Sequence, residues 1–155
     1  MKLSIRVNGE PGVKRLQSKF TSMASAIKNR RVMFNRIGVQ LLNAIAENFQ
    51  SQGHEGAPWQ ALKVATLARR RKGRGARVSI GRILQDTGEL RRSFGMETTD
   101  NLVRVGTKKI YAPPHEYGHK DIPQRKMLPS RKLGLQTALN IAEGYTTEKL
   151  KEIKL

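Results

Sequence analysis

The chain has 155 residues, of which 37% are hydrophobic and 5% aromatic, and it contains no cysteine. This length predicts a single domain over 1–155 with a lean, mostly aliphatic core. The lack of cysteine excludes disulfides and thiolate metal sites and is typical of a chain made in a reducing cytoplasm. No apolar run reaches the length of about 18 residues that a membrane span requires.

Positive charge dominates the chain, with 30 Lys and Arg against 12 Asp and Glu and a formal net charge of +18. Two stretches carry most of the imbalance, because no acidic residue lies between Glu10 and Glu47 or between Glu55 and Asp86. A field of this strength attracts polyanions and weakens with salt. It does not distinguish DNA, RNA and an acidic protein surface.

The first predicted element is a short strand, since residues 3–7 alternate between apolar and polar side chains before a dense turn signal. An amphipathic helix is predicted over 13–27, and a longer one over about 31–50 that Gly53 would end. One face of the longer helix carries five apolar residues: Phe34, Ile37, Leu41, Ile45 and Phe49.

The only tryptophan, Trp59, is predicted to bury its ring against the base of the long helix, with a partner contact as the alternative. A short helix over 59–67 would follow it. We expect a mobile basic loop at about 68–80, because glycine entropy and charge repulsion oppose compact order there. The loop would contact phosphates or an acidic protein partner, or only keep the chain soluble. Its candidate contact residues are Arg69, Arg70, Arg71, Lys72, Arg74 and Arg77.

A second group of short elements is predicted after the basic stretch. Residues 85–90 have the composition of a helix start, where Asp86 or Thr87 can accept from first-turn N–H groups. Strand-like runs on both sides of Asp100-Asn101 predict a β-hairpin.

A third strand is predicted at 110–112, ending at Pro113-Pro114 because proline cannot donate to a ladder. The last predicted element is a helix over 135–150, which Gly144 could end early. These elements indicate an α+β fold, with N-terminal helices on a small, mostly antiparallel sheet and a C-terminal helix.

Candidate catalytic groups are few and poorly arranged. The run from His115 to His119 has the spacing of a His-Glu-x-x-His zinc motif, but prolines precede it, Gly118 interrupts it and no third ligand is evident. Pairing Asp86 with Asp121, or Glu89 with Glu116, would give too few carboxylates for a two-metal nuclease. The sequence therefore predicts no enzyme activity, no cofactor and no metal.

Five short motifs follow one another from Trp59 onward, and together they resemble one family. They are Trp59-x-x-Leu62, Ile83-Leu84-x-x-Thr87-Gly88-x-Leu90-x-x-Ser93, Val105-Gly106-Thr107, Tyr111-Ala112-x-x-His115-x-x-Gly118 and Ile122-Pro123-x-Arg125. In kind and order they resemble the virion-morphogenesis, or tail-completion, proteins of tailed phages. The resemblance covers roughly half of the chain directly, and two-thirds when the helix before Trp59 is included.

The resemblance implies a structural assembly protein that acts in tail completion or at the neck, where head and tail join. It would form a homo-oligomeric ring, contact neck, tail-tube or connector proteins, and pass from the host cytoplasm into the virion. The motif positions it implies, most of them fold-determining, are Trp59, Leu62, Asp86, Thr87, Gly88, Leu90, Gly106, Tyr111, His115, Gly118, Pro123 and Arg125. The sequence departs from the family at Lys126-Met127, where an aromatic residue usually follows the arginine.

Two segments are candidates for backbone pairing between subunits, the strand 102–105 and the extended run 122–128. Arg125 is expected to make an inter-subunit or capping contact, because an extended segment cannot easily bury a guanidinium alone. Gly106 is expected to need a glycine backbone at the strand end. The alternative function is a basic protein that binds nucleic acid without specificity, although stacking aromatics and a recognition motif are lacking.

Overall fold

The computed structural model describes residue 21, residues 30–72 and residues 81–152. The predicted strand 3–7, all but one residue of the predicted helix 13–27, and positions 73–80 of the predicted basic loop lie outside this part. Its elements, in chain order, are α1 (Arg30–Ser51), β1 (Gly53–His54), β2 (Ala57–Pro58), α2 (Val64–Lys72), α3 (Glu89–Arg92), β3 (Gly95–Thr98), β4 (Val103–Gly106), α4 (Ala112–Tyr117) and α5 (Arg131–Glu152).

The α+β class is confirmed, with two separate two-stranded antiparallel sheets, β1–β2 and β3–β4, in the described part of the chain. Helix α1 lies at the centre and packs against α5, β1 and the β3–β4 hairpin. Among the described helices, none combines the length and apolar character needed to cross a membrane.

Helix α1 has the apolar face that its periodicity predicts, with Ile37, Ile45 and Phe49 buried. The prediction for its end was wrong in one detail. The positive φ that follows the helix belongs to Gln52 (55°), not to Gly53. Gly53 is needed for a different reason, because an added Cβ would lie 2.7 Å from the Ala57 carbonyl oxygen across the β1–β2 turn.

The hydrophobic core forms where α1 ends. Trp59 is buried there, as predicted, and its ring meets that of Phe49 edge to face at a centroid distance of 5.6 Å. The Phe94 ring also contacts that of Phe49, at a centroid distance of 5.8 Å. The buried residues of the cluster are Ile45, Phe49, Trp59, Ile83, Leu90, Ala112 and Met127. Three of the five motifs contribute buried residues to this core at the base of one helix, and the partly buried Val105 of a fourth motif packs against it.

The predicted hairpin is confirmed as β3–β4, with Met96 opposite Val105 and Thr98 opposite Val103. The Thr99 N–H donates to the Leu102 carbonyl at 2.8 Å and closes the turn over the predicted Asp-Asn pair. Alternation places the half-buried Met96, Thr98, Val103 and Val105 on the face toward α1.

Gly38, in the middle of α1, lets the hairpin approach the helix closely. A Cβ at this position would lie 2.6 Å from the Met96 Sδ and 2.8 Å from the Val103 Cγ2. A glycine inside a helix is unfavourable by about 1 kcal/mol relative to alanine. That cost is offset here by contact between the helix backbone and the sheet.

The predicted third strand at 110–112 was wrong, because this region starts helix α4. Ala112, Pro113 and Pro114 occupy its first turn. Proline suits that turn, since the first N–H groups of a helix have no intrahelical acceptor and the fixed φ is already helical. The proline pair was interpreted as the end of a strand when it marks the beginning of a helix.

The C-terminal helix is confirmed and is longer than predicted, since α5 runs from Arg131 to Glu152 and passes through Gly144. Ser130 caps it by accepting the Leu133 N–H at 3.2 Å. An Arg36–Glu148 ion pair links it to α1. The short helix predicted over 59–67 is shifted to Val64–Lys72.

Gly38→Ala should destabilise the protein although alanine favours helices. Overpacking against the stiff Val103 side chain should cost about 1–3 kcal/mol and exceed the gain of about 1 kcal/mol in helix propensity. The matched control is Gly144→Ala in α5, where an added Cβ meets nothing within 4 Å. Denaturant unfolding should show a loss for Gly38→Ala and a gain of up to about 1 kcal/mol for Gly144→Ala. Equal gains in both variants would contradict the close approach.

Candidate functional site

Residues 125–128 form a segment without helix or strand, here called the strap, that lies across the base of α1. Its N–H groups are held from one side by α4. The Arg125 N–H donates to the His115 carbonyl at 2.7 Å. The Met127 and Leu128 N–H groups both donate to one carboxylate oxygen of Glu116, at 2.7 and 3.2 Å. A single carboxylate thus satisfies two strap donors.

Three of the strap carbonyls accept hydrogen bonds from side chains outside α4. The Trp59 indole N–H donates to the Lys126 carbonyl at 2.9 Å, and the Asn48 amide donates to the Met127 carbonyl at 3.0 Å. His54 Nε2 lies 2.9 Å from the Leu128 carbonyl, which requires that this nitrogen carries the proton. The strap is therefore fixed mainly by side chains of the surrounding elements and not by a neighbouring strand.

This arrangement removes one of the two predicted pairing segments. The strap N–H and carbonyl groups named above are bonded within the chain, and Ile122 exchanges both backbone bonds with His119 at 3.0 and 2.8 Å. An extended run pairs with a neighbour only if its backbone groups are available. Most backbone groups of the segment 122–128 are therefore engaged within the chain, and strand β4 remains as the candidate.

The Arg125 guanidinium lies inside the chain. The residue is 6% exposed, and its Nε and Nη2 donate to the Gln60 carbonyl at 3.1 and 3.0 Å, with Ala61 at 3.4 Å. These bonds tie the strap to the loop before α2. The guanidinium is thus buried within the chain on loop carbonyls, and the structure shows no helix-capping contact of the kind expected for Arg125.

A cleft of about 460 Å³ lies between the loop before α2, residues 84–90, helix α4 and the start of the strap. Its walls bring together positions that are far apart in the sequence. The motif positions that line it are Leu62, Asp86, Thr87, Gly88, Leu90, Tyr111, His115, Pro123 and Arg125. Of the three others, Trp59 is in the core, Gly118 turns the chain with φ 77°, and Gly106 ends β4.

Two glycines of the motifs differ in whether their backbone conformation favours glycine. Gly88 is buried at φ 75° and ψ 0°, a left-handed conformation that favours glycine. Gly106 lacks a positive φ, and an added Cβ there would meet nothing within 4 Å. The expectation that Gly106 needs glycine backbone freedom was therefore wrong. At the start of α3, Thr87 is the residue whose hydroxyl accepts the Glu89 N–H, at 3.4 Å.

The part of the predicted basic loop that the structure describes is helical, because residues 69–72 are the last turn of α2. Arg70 is 7% exposed and donates to the Arg82 carbonyl at 2.7 Å, with its Nε 3.7 Å from the Asp86 carboxylate. It is a buried part of the cleft and not a solvent-facing contact. Arg69, Arg71 and Lys72 are exposed, while Arg74 and Arg77 lie outside the described residues.

Burial and like charge act together at the cleft. Burial lowers the pKa of Arg125, and the nearby Arg70 lowers it further. Burial likewise lowers the pKa of His115, and the charge of Arg125 adds to this effect. Imidazole protonation is thereby opposed on the α4 side of the cleft.

The geometry gives the candidate catalytic groups other roles. Glu116, the centre of the zinc-like motif, is engaged by two strap N–H groups, and His119 lies in the tight turn that pairs with Ile122. Within the described ranges, no three His, Asp or Glu side chains are grouped closely enough to hold a metal ion.

Sequence reasoning missed Asn48 and His54 as holders of the strap. Asn48 carried a signal, because it is a polar residue on the apolar face of α1, one turn beyond Ile45.

Glu116→Ala should destabilise the fold by about 2–4 kcal/mol, because two strap N–H groups lose their charged acceptor. The matched variant Glu116→Gln keeps an acceptor oxygen and should lose about 1 kcal/mol. Urea unfolding of both variants measures the difference. A negligible loss for Glu116→Ala would show that the carboxylate does not hold the strap.

Acidification should destabilise the protein through His115. Its folded-state pKa lies below the unfolded value of about 6.5, so only the unfolded chain takes up the proton readily. The stability is complete above about pH 7 and is lost as the pH falls through the unfolded pKa toward the folded pKa. His115→Gln should flatten the decline in Tm between about pH 7.5 and 5.5. The same decline in wild type and variant would contradict this assignment.

The chain was compared with known proteins. The model of the phage virion morphogenesis family matches residues 12–152. No curated protein and no solved structure matches the chain. The family match spans all the described elements and includes every motif that forms the core, the strap and the cleft. The chain belongs to the phage virion morphogenesis family.

Proposed function

We propose that this protein is a non-enzymatic subunit that completes the tail or joins head and tail at the neck of a phage particle, acting as a ring of copies. The family supports a role in phage virion assembly. The finer proposal rests on one structural observation: the β3–β4 hairpin has two outer edges that pair with no other strand of the described chain.

The hairpin register indicates which backbone groups are available. Since the Thr99 N–H bonds to Leu102, alternation makes Thr98–Val103 and Met96–Val105 the pairs without mutual hydrogen bonds. Their N–H and carbonyl groups point away from the hairpin, on opposite edges. Each edge therefore offers donors and acceptors to another strand.

These two edges suit a ring because they are different. A ring needs head-to-tail contacts, in which one patch of a subunit meets a second, complementary patch of the next. The β3 edge of one copy can pair with the β4 edge of its neighbour, which continues an antiparallel sheet around the ring. Helix α1 supports the hairpin from behind through the close contact at Gly38.

The remaining surfaces would meet other particle components. We propose neck, tail-tube or connector proteins as these partners, with passage from the host cytoplasm into the virion during assembly. The exposed Arg69, Arg71 and Lys72 at the end of α2 are available for an acidic protein face or for non-specific DNA contact.

The alternative is a basic protein that binds nucleic acid without specificity, which the charge of +18 favours. Light scattering at high salt separates the two proposals, because salt weakens phosphate contacts but leaves backbone pairing intact. A discrete oligomer supports assembly. A monomer that retains DNA only at low salt supports the alternative.

Thr98→Pro should abolish oligomerisation while preserving the subunit. Its N–H points to the free edge, so proline removes an edge donor without breaking the hairpin ladder. The control Thr98→Val keeps that N–H and removes a buried hydroxyl oxygen that makes no hydrogen bond within the described structure. Light scattering should show oligomers for wild type and Thr98→Val only. Equal assembly of Thr98→Pro would refute pairing through this edge.

A further inference from the structure

The floor of the cleft contains more positive than negative charge. Arg70 and Arg125, both almost fully buried, and Asp86 line it, so two guanidinium groups face one carboxylate. Asp86 lies 3.7 Å from Arg70. The neighbouring His115 has a pKa lowered by burial and by Arg125, so it adds no charge near neutral pH. Counting only the residues that the structure describes, the floor therefore has an excess of one positive charge.

Arg125 retains hydrogen-bonding capacity. Its Nε and Nη2 donate to the carbonyls of Gln60 and Ala61, whereas its Nη1 has no partner in the described part of the chain. A buried guanidinium is stabilised when its remaining donors meet an acceptor, and a charged acceptor is the most favourable one.

The rim of the cleft is balanced. Lys63 and Arg69 are exposed cations, and Glu89 and Asp121 are exposed acids, so the lining residues at the rim carry two charges of each sign. Glu89 is also paired with Lys109 at 3.1 Å. A ligand that matches both floor and rim carries one negative charge with neutral groups on either side.

The walls add an apolar component through Leu62, Leu84 and Leu90, with Tyr111 partly exposed beside them. Apolar walls around a few polar groups are typical of sites that hold a side chain in a fixed orientation. The volume of about 460 Å³ is sufficient for a few residues of an extended chain.

We propose that this cleft binds one carboxylate of an extended peptide segment, with an apolar residue beside it, from another protein of the particle. Only the origin of that segment rests on the proposed function. A nucleic-acid strand fits less well, because it carries one charge per nucleotide and its flanking phosphates would meet Glu89 and Asp121.

The probe is a fluorescein-labelled peptide with blocked ends, Gly-Ser-Leu-Glu-Gly-Ser, titrated with the full chain and followed by anisotropy. The same peptide with Gln in place of Glu is the charge control. Binding of the Glu peptide should be at least tenfold tighter than that of the Gln peptide and should weaken with salt. Equal affinities would overturn the proposal.

Two variants locate the binding without removing a buried bond. Ala61→Trp places a large ring at the exposed wall of the cleft, and Ala65→Trp places the same ring on α2 at a residue that does not line it. Ala61→Trp should reduce affinity at least tenfold, and Ala65→Trp should leave it unchanged. Unchanged binding by Ala61→Trp, or equal loss in both, would exclude the cleft.

Competition with inorganic phosphate and with a short single-stranded oligonucleotide tests whether the cleft prefers a phosphate group to a carboxylate. Displacement of the peptide by either one at lower concentration than by acetate would make the cleft a phosphate site and overturn the proposal. Weaker displacement than by acetate would support it. The titration measures peptide binding to the cleft, whereas light scattering measures the oligomeric state. Failure of one proposal is therefore distinguishable from failure of the other.

Discussion

The structure depends on the way the strap is held in place without a neighbouring strand. Three of its N–H groups donate to Glu116 and to the His115 carbonyl, and three of its carbonyls accept from Asn48, Trp59 and His54. Unpaired polar backbone groups are costly in a buried segment such as this, where Met127 is 1% exposed. The strap thus fixes α1, the loop before α2, and α4 relative to one another with polar bonds of defined direction. In a chain with few aromatic residues, these bonds fix the relative positions of the elements, which a larger hydrophobic core would otherwise fix.

The cleft is a consequence of this arrangement. Because Arg125 begins the strap and reaches the Gln60 carbonyl, the wall before α2 and the wall formed by α4 are held at a fixed separation. Arg70 adds a second buried cation from α2, although the sequence indicated a solvated loop at that position. The family motifs therefore have a common structural meaning, since they build the strap, the core beneath it and the cleft beside it.

Much of the fold could be predicted from local patterns. The periodicity of α1, the Asp-Asn turn of the hairpin and the burial of Trp59 each follow from short-range rules that the structure obeys. The predictions failed where a residue type suits two kinds of structure, or where a partner distant in the sequence determines the burial of a side chain. Pro113-Pro114 suits a strand end and a helix start equally, and Arg70 is buried because Asp86 and the Arg82 carbonyl face it. The roles of Asn48 and Gly38 depend on contacts with segments more than fifty positions away, which no local pattern encodes.

The central claim is that copies join through the edges of the β3–β4 hairpin. Amide hydrogen exchange of Met96, Thr98, Val103 and Val105, measured across a dilution series, tests it most directly, because register points these four N–H groups outward. The account predicts protection at high concentration that is lost on dilution, while the amides of Glu97 and Arg104, directed into the hairpin, stay protected. Exchange of the four outward amides that does not change with concentration would contradict it.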